Sequence, residues 1–304
     1  MTAIPKLTWI CVGIALAAAS GAARAQPVVT RAPVTLIHVH GLAYSSDGKR
    51  LMLPSHHGLA VYEKGRWSKA EGPQHDYMGF SATRERLYSS GHPAPGSGLA
   101  NPFGLIRSRD AGRSWEQLGF QGESDFHLLA AGWNTNAIYV WNAQPNSSLQ
   151  RTGLYFTLTD GRRWNPVAAA GLSGSPRALA VHPDDSARVV VATADGVFVS
   201  QDSGTSFTPL GGKTDAYSVL FDLDGKRLWM GTFQGKARLS HLPITGVRAT
   251  EISLPQLGRD AVAYVAQNPA ARNEYAIATF ARSVFLSSDG GRNWRQIARQ
   301  GQVE

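Results

Sequence analysis

Cysteine is all but missing: the 304 residues contain one, Cys11, and it lies inside an apolar leader. A chain without that leader has neither a disulfide nor a thiolate, which excludes thiol catalysis, cysteine zinc sites and a disulfide framework. Long hydrophobic runs are missing as well. The apolar stretch Leu7–Ala19 is shorter than the ~20 residues needed to cross a bilayer, and it is followed by Ala23-Arg24-Ala25. Residues 1–25 are therefore expected to be a cleaved secretory signal ending at an A-x-A site before Gln26. The protein is then periplasmic or secreted, with no stable membrane span after cleavage. Losing Lys6 and Arg24 leaves 28 basic against 22 acidic side chains, a net +6. The basic residues (Arg84, Arg86, Arg107, Arg109, Arg113, Arg162, Arg163) are scattered rather than gathered, so nucleic acid is not an expected partner. Outside the leader no stretch keeps a helical period.

What is there instead is a repeat. Ser-x-Asp-x-Gly-x-x-aromatic occurs at Ser108–Trp115, Ser200–Phe207 and Ser287–Trp294. A degenerate copy runs from Thr157 to Trp164, with Asp160 slipped one place, and an eroded one from Tyr62 to Trp67. The closing aromatics are 48, 49, 43 and 87 residues apart, and the last interval fits two units, one of which, near residue 250, has lost its motif. Six units result. Each holds short β-branched or apolar runs bounded by Gly, Asp and Pro, such as Arg188–Thr193 followed by Gly196–Ser200. Four strands in about 45 residues, repeated six times, predict an all-β, six-bladed β-propeller of four-stranded antiparallel blades. The predicted blades are approximately 34–73, 74–121, 122–172, 173–213, 214–257 and 258–301, within a single domain spanning 26–304. Whether residues 27–35 add a strand to the last blade or simply trail is open at this stage.

An aspartate that opens a tight turn accepts backbone N–H groups, glycine supplies the unusual backbone conformation, and the aromatic fills the space between sheets. Asp110, Asp202 and Asp289 repeat at equivalent turns, so their role is structural and they are set aside as catalytic acids. These strings resemble the Asp-box (BNR) repeat of the sialidase-like β-propellers, a group that also includes sortilin-type receptors and photosystem assembly factors. The first half is rich in histidine, at His38-Val39-His40-Gly41-Leu42-Ala43, His75-Asp76-Tyr77-Met78-Gly79-Phe80 and Gly122-Glu123-Ser124-Asp125-Phe126-His127, and with these strings the chain is similar to a secreted bacterial group labelled glycosyl hydrolase. That label follows the fold and transfers little chemistry. Sialidases grip their substrate with three arginines and use a Tyr-Glu nucleophile pair; here only Arg177 falls on an expected channel position, and sialidase activity is not expected.

Aligning the six units on their innermost strands gives two columns, His38, Asp76, Asp125, Ser175, Asp215, Asp260 and, two places on, His40, Met78, His127, Arg177, Tyr217, Val262. Strand side chains alternate, so both columns are expected to face the central channel. His56 and His92 form a further column, each six residues after an Arg-Leu pair. Seven of the nine histidines, His38, His40, His56, His57, His75, His92 and His127, fall in the first three units. Imidazoles with nearby carboxylates and a thioether suit a transition-metal site, copper or zinc. The candidate ligands are His38, His40, His56, His75, His92 and His127, with Asp76 and Met78 secondary and Asp125 a ligand or an orienting group. The same groups can also line a polar channel that holds no metal. Under a glycosidase alternative, paired carboxylates are required, and Asp76, Glu123 and Asp125 are the candidates. A third reading is a scaffold that binds a protein partner without chemistry. The expected ligand is accordingly a metal ion, a small polar molecule or a glycan.

Overall fold

The apolar runs between turn signals do form strands, and the strands stack into six sheets around an axis. The computed structural model describes Met1 and residues 34–244 and 248–304. The expected signal at 1–25 and most of the 27–35 stretch lie outside the described residues. No helix occurs among the described residues, and none is long and apolar enough to cross a membrane.

Each blade is one contiguous stretch whose strands pair in sequence order, all antiparallel. Blade 1 spans Ala43 to Lys69, blade 2 Asp76 to Gly119, blade 3 Leu129 to Pro166, blade 4 Pro176 to Pro209 and blade 5 Asp215 to Ile252. Blade 6 begins at Val262 and carries a fifth strand, Gln302–Val303. The innermost strands are Ala43–Tyr44, Asp76–Ala82, Leu129–Ala131, Pro176–Val181, Asp215–Phe221 and Val262–Asn268. They neighbour one another in turn and close from the sixth to the first.

The core is divided among the blade seams. Each of six apolar clusters is built from two adjacent blades, for example Met52, Leu59 and Val61 of blade 1 against Tyr77, Leu87 and Ile106 of blade 2. The seam between blades 6 and 1 is packed like the others, with Leu51, Leu53 and Tyr62 against Ala276, Val284 and Ile297. Burial of such faces is the dominant favourable term, so each blade is stabilised chiefly by its neighbours. Polar links also cross the closing seam. Trp67 Nε1 donates to the Ile297 carbonyl at 2.9 Å, Asn268 Nδ2 to the Gly48 carbonyl at 2.9 Å, and Thr35 bridges the last strand at Gln302.

The repeated turns join the third and fourth strands. Ser108, Ser200 and Ser287 each donate to the aspartate two residues on, at 2.7–2.8 Å, and accept the glycine N–H at 2.8 Å. In the copy at Thr157–Trp164 the aspartate's turn role passes to Thr159, whose Oγ1 accepts the Arg163 N–H at 3.1 Å. Asp160 is thereby free to face blade 2, where it accepts from Arg86, Arg107 and Tyr88. Strand direction puts all these turns on one face of the wheel. The starts of the innermost strands and the turns between second and third strands lie on the other.

Candidate functional site

The second face carries the seven histidines of the first three units. Ser55–Gly58 turns blade 1 from its second to its third strand, placing His56 at the rim. Beside it runs the approach to the first innermost strand: the His40 N–H donates to the Pro54 carbonyl at 3.1 Å and the His56 N–H to the Ile37 carbonyl at 3.4 Å. His38 holds a left-handed φ of 55° within this approach, a conformation that non-glycine residues adopt rarely and mostly at constrained positions. The expected placement of His38 and His40 on the innermost strand is thus corrected, because that strand begins only at Ala43. The bend at His38 brings both rings onto His56.

The ligand nitrogens of His38, His40 and His56 all lie within 4.8 Å of one another. Their ring centroids are 4.5 Å apart for His38–His56, 5.4 Å for His40–His56 and 6.0 Å for His38–His40. Asp76, the first residue of the next blade's innermost strand, lies behind them: His56 Nδ1 stands 2.5 Å from its Oδ2, and His40 Nε2 is 3.9 Å from its Oδ1. Neither His40 Nε2 nor Asp76 Oδ1 has a hydrogen-bond partner, although both atoms are buried. Burial lowers the His40 imidazole to about 4, against the pull of Asp76 and with help from the fields of His56, His127 and His38. At neutral pH its lone pair is free, the state a metal ligand requires.

A second group lies one blade on. His92 Nε2 is 3.0 Å and His127 Nδ1 3.3 Å from Asp125 Oδ2, and His92 Nδ1 is 2.7 Å from Asn101 Oδ1. Asp125 and His127 precede their blade's innermost strand rather than lying in it. Gly79 makes this possible. At φ 45° in a bulge, it approaches the Phe126 carbonyl so closely that a Cβ there would stand 1.9 Å from the oxygen.

The other candidates sit elsewhere. His75 is buried against Tyr77 and Phe103, and its Nδ1 accepts the Ala94 N–H at 2.9 Å, tying down the Gly/Pro-rich insert at 91–102. Burial lowers its pKa, which keeps it an acceptor. Met78 is buried on its strand and does not line the central cavity. Glu123 is exposed and binds Ser147 through both carboxylate oxygens, with the backbone N–H at 2.8 Å and the hydroxyl at 2.9 Å. His57 is exposed. Asp260 is occupied by the backbone N–H groups of Ala261 and Ala281.

Opposite the histidines, Arg177 pairs with Asp215 at 3.0 Å and lies 4.3 Å over the Tyr217 ring, which in turn packs edge-on against exposed Phe280. Sequence periodicity brought Arg177, Asp215 and Tyr217 into the columns but gave no sign of Phe280 or Asn101, which sit in connections that no repeat marks. Between the two halves of the rim a cavity of about 190 Å³ runs inward from His40, His127 and Arg177 along Phe80, Leu129 and Val219. It is smaller than the roughly 300–1,000 Å³ of most small-molecule sites, and its deeper wall is apolar. Polar chemistry is therefore concentrated at the mouth.

No family model matches the chain, and no curated protein is similar to it in sequence. Solved structures share its architecture. One is the GH74 enzyme of Niastella koreensis, 15% identical with a TM-score of 0.59 over 88% of this chain and 46% of that one. YCF48 bound to a D1 peptide is 19% identical with a TM-score of 0.51, covering 88% of this chain and 82% of that one. The extracellular domain of the putative one component system BT4673 from B. thetaiotaomicron is 14% identical, TM-score 0.55, over 88% and 34%. The chain spans about half the length of the GH74 enzyme. At these identities the likeness is one of fold, and the propeller is common to them.

Proposed function

We propose that this chain is an exported binding or assembly protein of the Asp-box propeller group, whose mouth holds a transition metal, copper or zinc. His38, His40 and His56 are the ligands. The observation that carries this reading is the convergence of three imidazole nitrogens within 4.8 Å, one of them buried and unpartnered. Three imidazoles held by a fixed backbone match the ligand number of zinc sites that keep one open position, and nitrogen sets of this kind also suit copper. Asp76 orients His56 as carboxylates commonly orient ligating imidazoles. When bound, the ion supplies a Lewis-acidic position at the channel entrance where a small polar ligand or a side chain of a partner protein can coordinate. The chain's own residues fix the rings, keep His40 neutral and present the opposite Arg177–Tyr217 surface to whatever docks.

The test is metal counting on protein made without a histidine tag. After dialysis against copper or zinc, wild type is expected to retain the ion, and His38→Ala with His40→Ala and His56→Ala to lose it from this site. Retention by the triple variant of everything bound by wild type would refute the assignment.

A further inference from the structure

The eroded copy of the repeated turn leaves a gap in the wheel. In the full copies, residues 108–115 and 287–294 lie between the paired strand ends Arg107–Glu116 and Leu286–Arg295, whereas in blade 1 only Lys64 and Gly65 lie between Glu63 and Arg66. The longer turns lean on the blade before them. A Cβ added at Gly112, Gly161, Gly204 or Gly291 would stand 2.7, 3.5, 2.5 or 2.9 Å from Leu59, Leu118, Val167 or Ile252, each on the side of the preceding blade. The corresponding Gly65 has nothing within 4 Å. On the face opposite the histidines, the seam between blades 6 and 1 therefore stays open as a groove of about 600 Å³, a volume within the roughly 300–1,000 Å³ of small-molecule sites.

The floor of this groove holds polar groups that the protein does not satisfy. Tyr44 is 5% exposed, and its hydroxyl is buried without a hydrogen-bond partner. The two ionisable groups that act on that hydroxyl, Glu274 and Tyr62, both line the groove. Burial and the Glu274 carboxylate push the Tyr44 pKa up, so the phenol is a neutral donor. Glu274 Oε1 accepts from Asn268 Nδ2 at 2.8 Å, and Oε2 has no donor among the described residues. A buried hydroxyl left unpaired is unfavourable, and a ligand that accepts from it removes the penalty.

The edge has a different character. Asp289 is occupied by Ser287 and Asn293 of its own turn. Lys64 and Arg295 are exposed and pair with no carboxylate among the described residues. Lys49 adds a third positive charge, shared with Asp47 at 3.5 Å. Trp294 is half-buried beside them, and its indole N–H is given to the Ser253 carbonyl at 2.9 Å. What remains to a ligand is the apolar surface of the ring. The walls are sheet faces whose backbone groups are already paired, so a peptide strand finds no edge to extend.

We propose that this groove binds an acidic saccharide of the uronate class. Tyr44 donates to a sugar oxygen, Glu274 accepts from a sugar hydroxyl, Trp294 lies against the ring, and Lys64 and Arg295 take the carboxylates, an arrangement in which hydroxyls and negative charge sit on one ligand. The groove shares no residue with the three-histidine position, and either can fail without the other.

Isothermal titration calorimetry with tetrasaccharides of galacturonate, mannuronate and hyaluronan tests this. At least one is expected to bind, its methyl ester at least tenfold more weakly, and added salt to weaken the acidic form. Lys64→Ala with Arg295→Ala is expected to lose at least tenfold. Tyr44→Phe is expected to lose at least fivefold while its urea midpoint does not fall, because the change removes an unpaired hydroxyl and keeps the ring; a merely structural tyrosine would leave binding unchanged. Binding is expected to survive His38→Ala with His40→Ala and His56→Ala, and its loss there would move the saccharide to the other face and overturn the assignment. No binding of any of the three acids at millimolar concentration, equal binding of the ester, or wild-type affinity in Tyr44→Phe and in the Lys64, Arg295 double variant would also overturn it. Tighter binding of a hexaglutamate peptide than of any saccharide would give the groove to an acidic protein partner instead.

Discussion

His56 at the rim of one blade is held by Asp76 at the head of the next blade's innermost strand, Nδ1 to Oδ2 at 2.5 Å. The ring's orientation thus depends on the seam between blades 1 and 2 and not on blade 1 alone. Removing the carboxylate leaves all three proposed ligands in place and takes away what aims one of them. Asp76→Asn is expected to weaken metal binding about 10- to 100-fold, measured by competition with a chromophoric chelator. Unchanged affinity would mean that the aspartate has no part in the site.

The link at Asp160 offers a test of how the blades are joined. It accepts from Arg86 Nη1 at 2.8 Å and Arg107 Nη1 at 2.6 Å, and from the Tyr88 hydroxyl at 2.5 Å. Arg107 is 8% exposed, so its charge has little recourse to solvent. Asp160→Ala leaves two guanidinium groups without this partner and is expected to cost about 3 kcal/mol, read as a lower urea midpoint with the slope unchanged. Asp110→Ala, in an exposed turn of the same type, is expected to cost about 1 kcal/mol, the scale of one or two ordinary hydrogen bonds. Equal losses would place Asp160 among the ordinary turn aspartates.

The wheel was legible in the sequence because its repeat is local: Ser108, Asp110 and Gly112 act on one another within a single turn, and the aromatic spacing counts the blades. The lost motif near residue 250 did not hide blade 5, since length and strand pattern persisted in Asp215–Phe221 and Arg227–Phe233. The candidate site was legible as a concentration of histidines and less so as a set of partners. Strand alternation does not reach His38 and His40, whose approach is bent by a left-handed residue and pinned to Pro54 and Ile37. His75 and His92 resemble each other in sequence as histidines at the edges of the same unit. Only the packing of the 91–102 insert sends one inward to Ala94 and the other outward to Asp125.

Ring closure can be weakened without touching the site. Trp67 Nε1 donates across the seam to the Ile297 carbonyl at 2.9 Å, and Trp67→Phe removes that bond while keeping most of the aromatic area. A loss of about 1 kcal/mol is expected, accompanied by faster hydrogen exchange in blades 1 and 6 before blades 3 and 4. Uniform acceleration across all six blades would show that the seam is no weaker than the others.

Acid stability should be governed by the turns on the face opposite the histidines. Ser206 holds the Asp202 carboxyl down at about 2 through its hydroxyl and N–H, and Asn293 does the same for Asp289 through its N–H and side-chain amide. An unfolded chain takes up these protons near the ordinary value of 3.8. Between about 4 and 2 the unfolded state therefore binds more protons than the folded one, and stability falls as the pH falls. Their contribution is complete above about pH 4 and gone below about pH 2. Ser206→Ala with Asn293→Ala removes side-chain donors to the folded carboxylates, so the double variant is expected to be less stable at pH 6 and to lose less on acidification to pH 2.5. Urea unfolding at the two pH values reads both effects, and a wild-type slope with pH in the variant would show that these carboxylates do not set the acid limit.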